Sequence, residues 1–576
     1  MNSRTATGRK FTIAAFFSIL AVVLLSYSNV YKSPFFFDDA HNIVNNPSLR
    51  AVTSIRHMFF PEVQVGISGR PAVHFSFLVN RLLLGPEPAG FRAVNVAIHI
   101  ITSLFLLGIT RRTLRVPLLE PRFGARADYP ALFCVLLWAA HPIQTESVVY
   151  LTNRGEILAS LAIVICLYGF LRAGTSPRPL FWCLLSWLAF VAGVGAKEIA
   201  AAAPVLILAC EALFFRGAPG KRACRFPLFY MGFIPGAALL AWLLIRGATR
   251  ASLGDTFIWW EYAFSQGRVI IHYLYQVIWP ANLCLDWEWP MPGPFEGLLC
   301  LLAVGAVLFI VVRALFRRNP AAFLGVWFFV ILAPSSSIVP LRKLACDYRM
   351  YLPLYAVICL AVLGGYSIFR ERLENGGRTR KAAACLLAAL ALLFAGLSHE
   401  RNRAFADEIT IWRDVMEKDP GNPRAYQNLG LAFMNQGRIG EAAAAFSEGL
   451  GLFPDNAEIL GNMGHVLQVM GRTEDALAHY RKALLLNFDL PEVHFNLGNI
   501  NAERGNYPVA ALAYKEALSI NPHYFKAWLN FGNALLLNGQ PGEAVKCYQN
   551  ALILRPGDPQ ATRNLAAALE AVRKAR

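Results

Sequence analysis

Two adjacent acids, Asp38 and Asp39, follow closely on the apolar run 11–30 and sit among aromatics, in the stretch Phe35-Phe36-Phe37-Asp38-Asp39-Ala40-His41. A carboxylate in such a place could take the proton of an acceptor hydroxyl. Two neighbouring carboxylates could also hold a divalent cation, and a solvated helix cap is the plain alternative. Further ionisable clusters come later in the chain. His141-Pro142-Ile143-Gln144-Thr145-Glu146 leads to Asn153-Arg154-Gly155-Glu156, and Lys197-Glu198 stands between two apolar runs. Ser335-Ser336-Ser337-Ile338-Val339-Pro340 leads to Asp347-Tyr348-Arg349-Met350-Tyr351-Leu352-Pro353. Ionisable groups near membrane depth are costly and therefore functional candidates; anchoring at span ends is the competing reading.

These clusters are positioned by a chain of 576 residues that is 56% hydrophobic and only 16% charged, against roughly 25% charged in soluble proteins. The part before residue 398 is oily, and the rest reads as soluble. A bilayer-crossing helix needs roughly 20 apolar residues. Candidate spans are 11–30, 91–110, 128–141, 155–171, 179–195, 197–215, 226–246, 296–313, 320–334, 350–370 and 381–398, about eleven in all. The first has no small-residue cleavage site and reads as a signal anchor. Segments 71–85 and 266–280, the latter broken by Arg268 and His272, read as interfacial or re-entrant helices.

The net charge of +17 suggests nucleic acid until its placement is considered. The excess lies in short loops: Arg4, Arg9 and Lys10; Arg111, Arg112, Arg115, Arg122 and Arg126; Arg172 and Arg178; Arg216, Lys221, Arg222 and Arg225; Arg313, Arg317 and Arg318; Arg370 to Lys381. Short basic loops face the cytoplasm. The alternating set, 31–90, 142–154, 247–295 and 335–349, is richer in acids, aromatics and Pro, and is expected on the far side. An odd number of spans then places the N-terminus inside and the tail outside. Nucleic acid is not an expected partner; the bilayer is. The 11 cysteines show neither a disulfide framework nor a metal-ligand spacing, so no metal site is expected beyond the Asp38–Asp39 pair.

Gly430, Gly464, Gly498 and Gly532 recur at a spacing of 34. Around them repeat Ala442, Ala476, Ala510 and Ala544, the aromatics Phe446, Tyr480, Tyr514 and Tyr548, and the prolines Pro454, Pro522 and Pro556. This is the tetratricopeptide pattern. The expected organisation is all-α: a polytopic bundle over 1–398, a linker helix over 399–422, and a repeat solenoid over 423–576 with four units and a capping helix. Such solenoids offer a concave groove for peptide or protein.

The order of the motifs resembles a known family. Asp38-Asp39 is followed by Gly69-Arg70-Pro71, then Gly90-Phe91 with Asn95 and His99, then His141-Pro142 with Glu146 and Arg154. Lys197-Glu198, Pro334-Ser335-Ser336 and Arg349-Met350-Tyr351-Leu352-Pro353 come next, and Trp412 leads into the repeats. This is similar to the transmembrane and tetratricopeptide repeat-containing proteins and their bacterial counterparts. Two positions depart from the pattern: Gln144 stands where relatives often carry histidine, and Arg92 where they often carry histidine or an aromatic.

The resemblance implies a GT-C-type glycosyltransferase fold. It also implies transfer of a sugar from a polyprenyl-phosphate carrier to acceptor hydroxyls on the extracytoplasmic face; characterised relatives transfer mannose to protein Ser or Thr. Asp38 or Asp39 would then be the base of a single inverting displacement. Arg349 is the first choice to neutralise the departing lipid phosphate, with Arg70, Arg154 and Lys197 behind it. His141 and Glu146 complete the expected substrate contacts. No cofactor is required, although the acid pair could take a divalent cation, in which case the base is sought at Glu146 or Asp347. The acceptor protein would dock in the repeat groove, and compact loops suggest a bacterial inner membrane with periplasmic repeats. Two other readings stand beside this one. An O-antigen ligase or polymerase would show a large basic outer loop late in the membrane part. A membrane-anchored scaffold would use the repeats alone.

Overall fold

The computed structural model describes residues 2–49, 69–215, 226–245, 258–337 and 339–575. The basic loop around Arg216, Lys221, Arg222 and Arg225, Ile338, and parts of the outer loops 31–90 and 247–295 lie outside the described residues. The chain forms two compact units, Met1–Asp414 and Val415–Arg576, and among the described residues both are helical with no strand.

In the first unit the helices are α1 (Asn2–Tyr27), α2 (Pro71–Leu84), α3 (Pro88–Thr113), α4 (Asp128–Ala140), α5 (Arg154–Ala173), α6 (Pro179–Ala196) and α7 (Ala202–Phe214). They continue as α8 (Ile234–Ile245), α9 (Trp259–Ile278), α10 (Pro294–Phe316), α11 (Ala322–Leu332), α12 (Pro353–Ile368) and α13 (Gly377–Arg401). Each stretch expected to span is helical at its core. Six of the helical segments are long and apolar enough to cross a bilayer: Arg9–Tyr27, Pro88–Thr113, Leu151–Ala173, Pro179–Ala196, Pro294–Phe316 and Gly377–Phe405. A pair bent by 54°, Asp128–Ala140 with Pro142–Val149, adds a seventh. The remaining four of the eleven expected spans hold helices shorter than 18 residues. Among the described residues, length and apolarity therefore support a multi-pass membrane protein, without confirming the count of about eleven spans.

Close packing of α5 on α6 rests on small residues. A Cβ on Gly169 would stand 2.1 Å from Ser186 Oγ, and one on Gly193 would stand 2.5 Å from Ala162 Cβ. Small residues let backbones approach where lipid provides no hydrophobic drive. The ends of α1 and α13 are tied together: Asn402 Nδ2 donates to the Ser26 carbonyl at 2.7 Å and to Asn29 Oδ1 at 2.9 Å. Asn29 Nδ2 donates in turn to the His399 carbonyl at 2.8 Å. The first and last membrane helices thus finish at the same end of the bundle.

That end also carries the acidic and aromatic loops. α9 lies across it: Tyr262 and Tyr273 donate to the carbonyls of Ser335 and Cys346, and Gln276 donates to Asp347. These contacts, spread along the helix, are all to the one loop 335–349. The stretch 399–422, expected as a linker helix, divides into Asn402–Phe405 and Glu408–Lys418. Phe405 and Trp412 are buried against Phe36 and Phe37, so the unit boundary falls within this stretch, after Asp414.

The second unit is built of helix pairs. They are Pro423–Asn435 with Ile439–Leu452, Ala457–Val469 with Thr473–Leu486, Pro491–Glu503 with Tyr507–Ile520, and Phe525–Leu537 with Pro541–Leu554. Pro559–Ala575 follows as the cap. In each pair the expected glycine faces the expected aromatic: a Cβ on Gly498 would stand 2.5 Å from the Tyr514 ring.

Candidate active site

The turn into the acid pair is clamped from outside. Arg92, fully buried, donates to the carbonyls of Ser33, Pro34 and Val149. Phe36 stacks on Tyr150 at 5.4 Å, and Phe37 meets Trp412 edge-on at 5.1 Å. Phe37 has φ of 52°, a left-handed conformation that a bulky residue adopts only when its surroundings enforce it. A five-residue π-helix, Ala40–Val44, follows directly.

This geometry sends the two acids to different places. Asp38 is exposed, and its backbone N–H donates to the Tyr150 hydroxyl at 3.3 Å. Asp39 is fully buried. Its Oδ1 accepts from the Thr152 backbone N–H at 2.9 Å and from the Thr152 hydroxyl at 2.8 Å. Its Oδ2 is buried with no hydrogen-bond partner. Burial pushes the Asp39 carboxyl up to about 7, against the Thr152 hydrogen bonds and the charge of Arg92.

The cations expected to meet phosphate are differently placed. Arg349 is buried and donates to the carbonyls of Ser335 (3.0 Å), Leu344 (2.8 Å) and Lys343 (2.8 Å), and to the Tyr262 hydroxyl (3.3 Å). Arg154 donates to Asn95 Oδ1 (2.7 Å), Asn80 Oδ1 (3.0 Å) and the Phe91 carbonyl (2.7 Å), with its guanidinium over the Phe77 ring at 4.5 Å. Both therefore hold backbone and side chains of their own bundle. His141 caps the helical turn after α4. Its Nδ1 accepts from the Ile143 N–H at 3.3 Å and its Nε2 donates to the Val277 carbonyl at 3.0 Å, which requires the neutral ring.

Lys197 pairs with buried Glu156 at 2.7 Å, and its ammonium stands 4.6 Å from the centre of the Tyr348 ring. The Glu198 carboxyl is held below its ordinary value: burial raises it, but the charges of Arg70 and Lys197 outweigh that. Glu146 accepts from Asn153 at 3.2 Å, keeps a second buried oxygen without a partner, and lies within electrostatic range of Asp347, Lys343 and Arg401. Asp347 is fully engaged, accepting from Gln276, Trp287 and the Cys284 N–H. All eight expected site residues thus gather at one end of the bundle.

Sequence reading passed over Lys343, Asp286, Thr152 and Tyr150. Lys343 pairs with the fully buried Asp286, is itself about a quarter exposed, and has its ammonium 5.7 Å from the centre of the Phe37 ring. The signal available was an acid between apolar neighbours, in Leu285-Asp286-Trp287. Gln144, a departure from the family pattern, donates from one amide to the carbonyls of Trp138 (3.3 Å) and Tyr351 (3.1 Å). A single imidazole N–H could not serve both carbonyls as this two-hydrogen amide does. Among the described residues no group of three or more His, Cys, Asp or Glu is placed to hold a metal ion.

Residues 395–457, 462–525 and 502–571 match the tetratricopeptide repeat family. The chain is similar to three curated proteins, each named Protein O-mannosyl-transferase. To Tmtc3 of Drosophila melanogaster it is 24% identical, covering 77% of this chain and 55% of that one. To human TMTC3 it is 22% identical, over 76% and 51% respectively, and to human TMTC1 24%, over 75% and 54%. The chain thus spans about half the length of the curated relatives it matches. Among solved structures it is similar to a MamA protein, at 25% identity and a TM-score of 0.22, covering 25% of this chain and 80% of that one.

Proposed function

We propose that this chain is a membrane glycosyltransferase that moves a sugar, mannose as the working case, from a polyprenyl-phosphate carrier to the hydroxyl of protein Ser or Thr. The observation that carries the reading is the acid pair: an exposed carboxylate on a strained turn, beside a buried one with an unpartnered oxygen. It sits in a membrane unit similar to O-mannosyl-transferases.

In this reading Asp38 is the base, because an acceptor can reach it, and Asp39 positions the turn through Thr152. The acceptor oxygen forms a bond to the anomeric carbon as Asp38 takes its proton. The bond from that carbon to the lipid phosphate breaks, its electron pair leaving with the phosphate, and one displacement inverts the centre. Lys343 neutralises the departing phosphate; it is a partly exposed cation beside Phe37, whereas Arg349 braces the loop 335–349 and Arg154 ties α5 to α2 and α3. Arg70 and Lys197 flank the donor, His141 and Glu146 shape the floor, and the repeats present the acceptor. The acid pair needs no metal for this step, and a chelator should leave the rate unchanged.

The test uses the full chain in membranes, with polyprenyl-phosphate mannose and a Ser/Thr-rich acceptor, read by mass spectrometry. Losing a positioned base removes about 10²–10⁴-fold of rate, so Asp38→Asn should lose that much while still inserting. Transfer by that variant at the parental rate would overturn the assignment. Absence of transfer by the parent from any polyprenyl-phosphate sugar would overturn the function.

A further inference from the structure

At the opposite end of the bundle from Asp38, the last turns of α3 and α5 enclose a cavity of about 400 Å³. Three arginines line it: Arg111, Arg112 and Arg115. Arg111 and Arg115 share one carboxylate oxygen of Asp128, each at 2.7 Å. Arg112 has its guanidinium 5.4 Å from the centre of the Tyr168 ring and has no carboxylate partner among the described residues. The lining therefore carries three positive charges and no acid, and the one carboxylate paired with two of them, Asp128, stands outside it. Just beside it, Arg172 lies over the Trp182 ring at 5.0 Å and keeps a buried Nε with no hydrogen-bond partner.

Apart from Thr175 the other walls are apolar or aromatic, with Tyr168, Leu171 and Phe215 among them. Gly108 allows the tyrosine in: a Cβ there would stand 2.5 Å from its ring. The cavity opens where three membrane helices end, at Thr113, Ala173 and Phe214. A ligand at this level meets water on one side and hydrocarbon on the other. An excess of guanidinium over carboxylate asks for an anion, and guanidinium suits phosphate oxygens. An apolar wall beside it asks for a chain attached to that anion.

We propose that this cavity binds the phosphate of an anionic phospholipid from the leaflet at the basic end, with Arg112 as its principal contact. Basic pockets between membrane helices take acidic lipid headgroups. The site is separate from the acid pair, roughly 30 Å away along α3 from Arg92 to Arg112 at 1.5 Å per residue, and does not depend on the chemistry proposed there.

Native mass spectrometry of the delipidated full chain tests this, with phosphatidylglycerol, phosphatidylcholine and glycerol 3-phosphate as separate additions. The parent should hold phosphatidylglycerol on the order of tenfold more tightly than phosphatidylcholine. Arg112→Gln should reduce that preference on the order of fivefold, the contribution of one basic residue near the surface. Arg112→Lys should keep most of it. Arg317→Gln removes a charge at the same end but outside the cavity, and should change nothing. Three outcomes would each overturn the proposal: no preference in the parent, equal loss in Arg317→Gln, or displacement of the lipid by equimolar glycerol 3-phosphate. The first and third are read on the parent, so they decide even where a variant fails to fold.

Discussion

Phe37 controls what the acid pair can do. Its left-handed backbone turns Asp38 outward and Asp39 inward, and the two carboxyls come to differ although they are neighbours in sequence. For Asp39, burial raises the folded value to about 7, from an ordinary value of 3.8. Between those values the folded chain holds a proton that the unfolded chain releases. The stabilisation is therefore complete below about 4 and is lost as pH rises through about 7. Asp39→Asn mimics the protonated acid, so its melting temperature should fall less than the parent's between pH 5 and pH 8; parallel curves would show that Asp39 is not held protonated. Arg349 gives a second test. Its four bonds to carbonyls and a hydroxyl use the planar fork that lysine lacks. Arg349→Lys should destabilise the chain by about 1–3 kcal/mol and make 335–349 sensitive to protease, whereas a phosphate-binding role would tolerate lysine better. Sequence located these residues, because acids and arginines between apolar runs stand out. It did not separate substrate contacts from braces, because that depends on carbonyls brought in from other loops.

At the scale of elements the repeats were the most legible, since a spacing of 34 residues fixes both helices of a unit at once. The second glycine of each unit escaped notice. Gly437, Gly471, Gly505 and Gly539 share the same spacing and all have positive φ, 72° at Gly505, where the first helix of the pair gives way to the second. The two glycine sets do different work, and substitutions should separate them. Gly498→Leu drives a side chain into the Tyr514 ring and should cost about 1–3 kcal/mol as overpacking. Gly505→Ala meets open space and should cost only the left-handed strain, about 1–2 kcal/mol. Thermal melts of a fragment covering 415–576 would show both, and enlarging the side chain further should worsen position 498 much more than position 505. Membrane elements were less legible. A hydrophobic run shows where a helix lies, but not whether it is straight: α4 and Pro142–Val149 form one bent pair, and α11 holds only 11 residues.

For the whole molecule, the basic and acidic loops sort to opposite ends of the membrane unit. Arg111, Arg115 and Asp128 meet at one end; Asp39, Glu146 and Lys343 lie at the other. Because α1 and α13 finish together through Asn29 and Asn402, the chain passes residue 401 at the acidic end, having crossed an odd number of times. The helix directions therefore couple two questions, since the side that receives the tail is also the side of Asp38. Short arginine-rich loops favour the cytoplasm, and the expectation that follows is an acidic end on the opposite side, where the substrates of the proposed transfer would meet. A reporter active only in the cytoplasm should be silent when fused after Arg576 and active when fused after Arg318. Activity at both sites would mean an even number of crossings between them and overturn the placing of Arg318 and the tail on opposite sides. The reversed pattern would keep the fold and move the acid pair to the cytoplasm, and the acceptor would then have to be sought among cytoplasmic proteins.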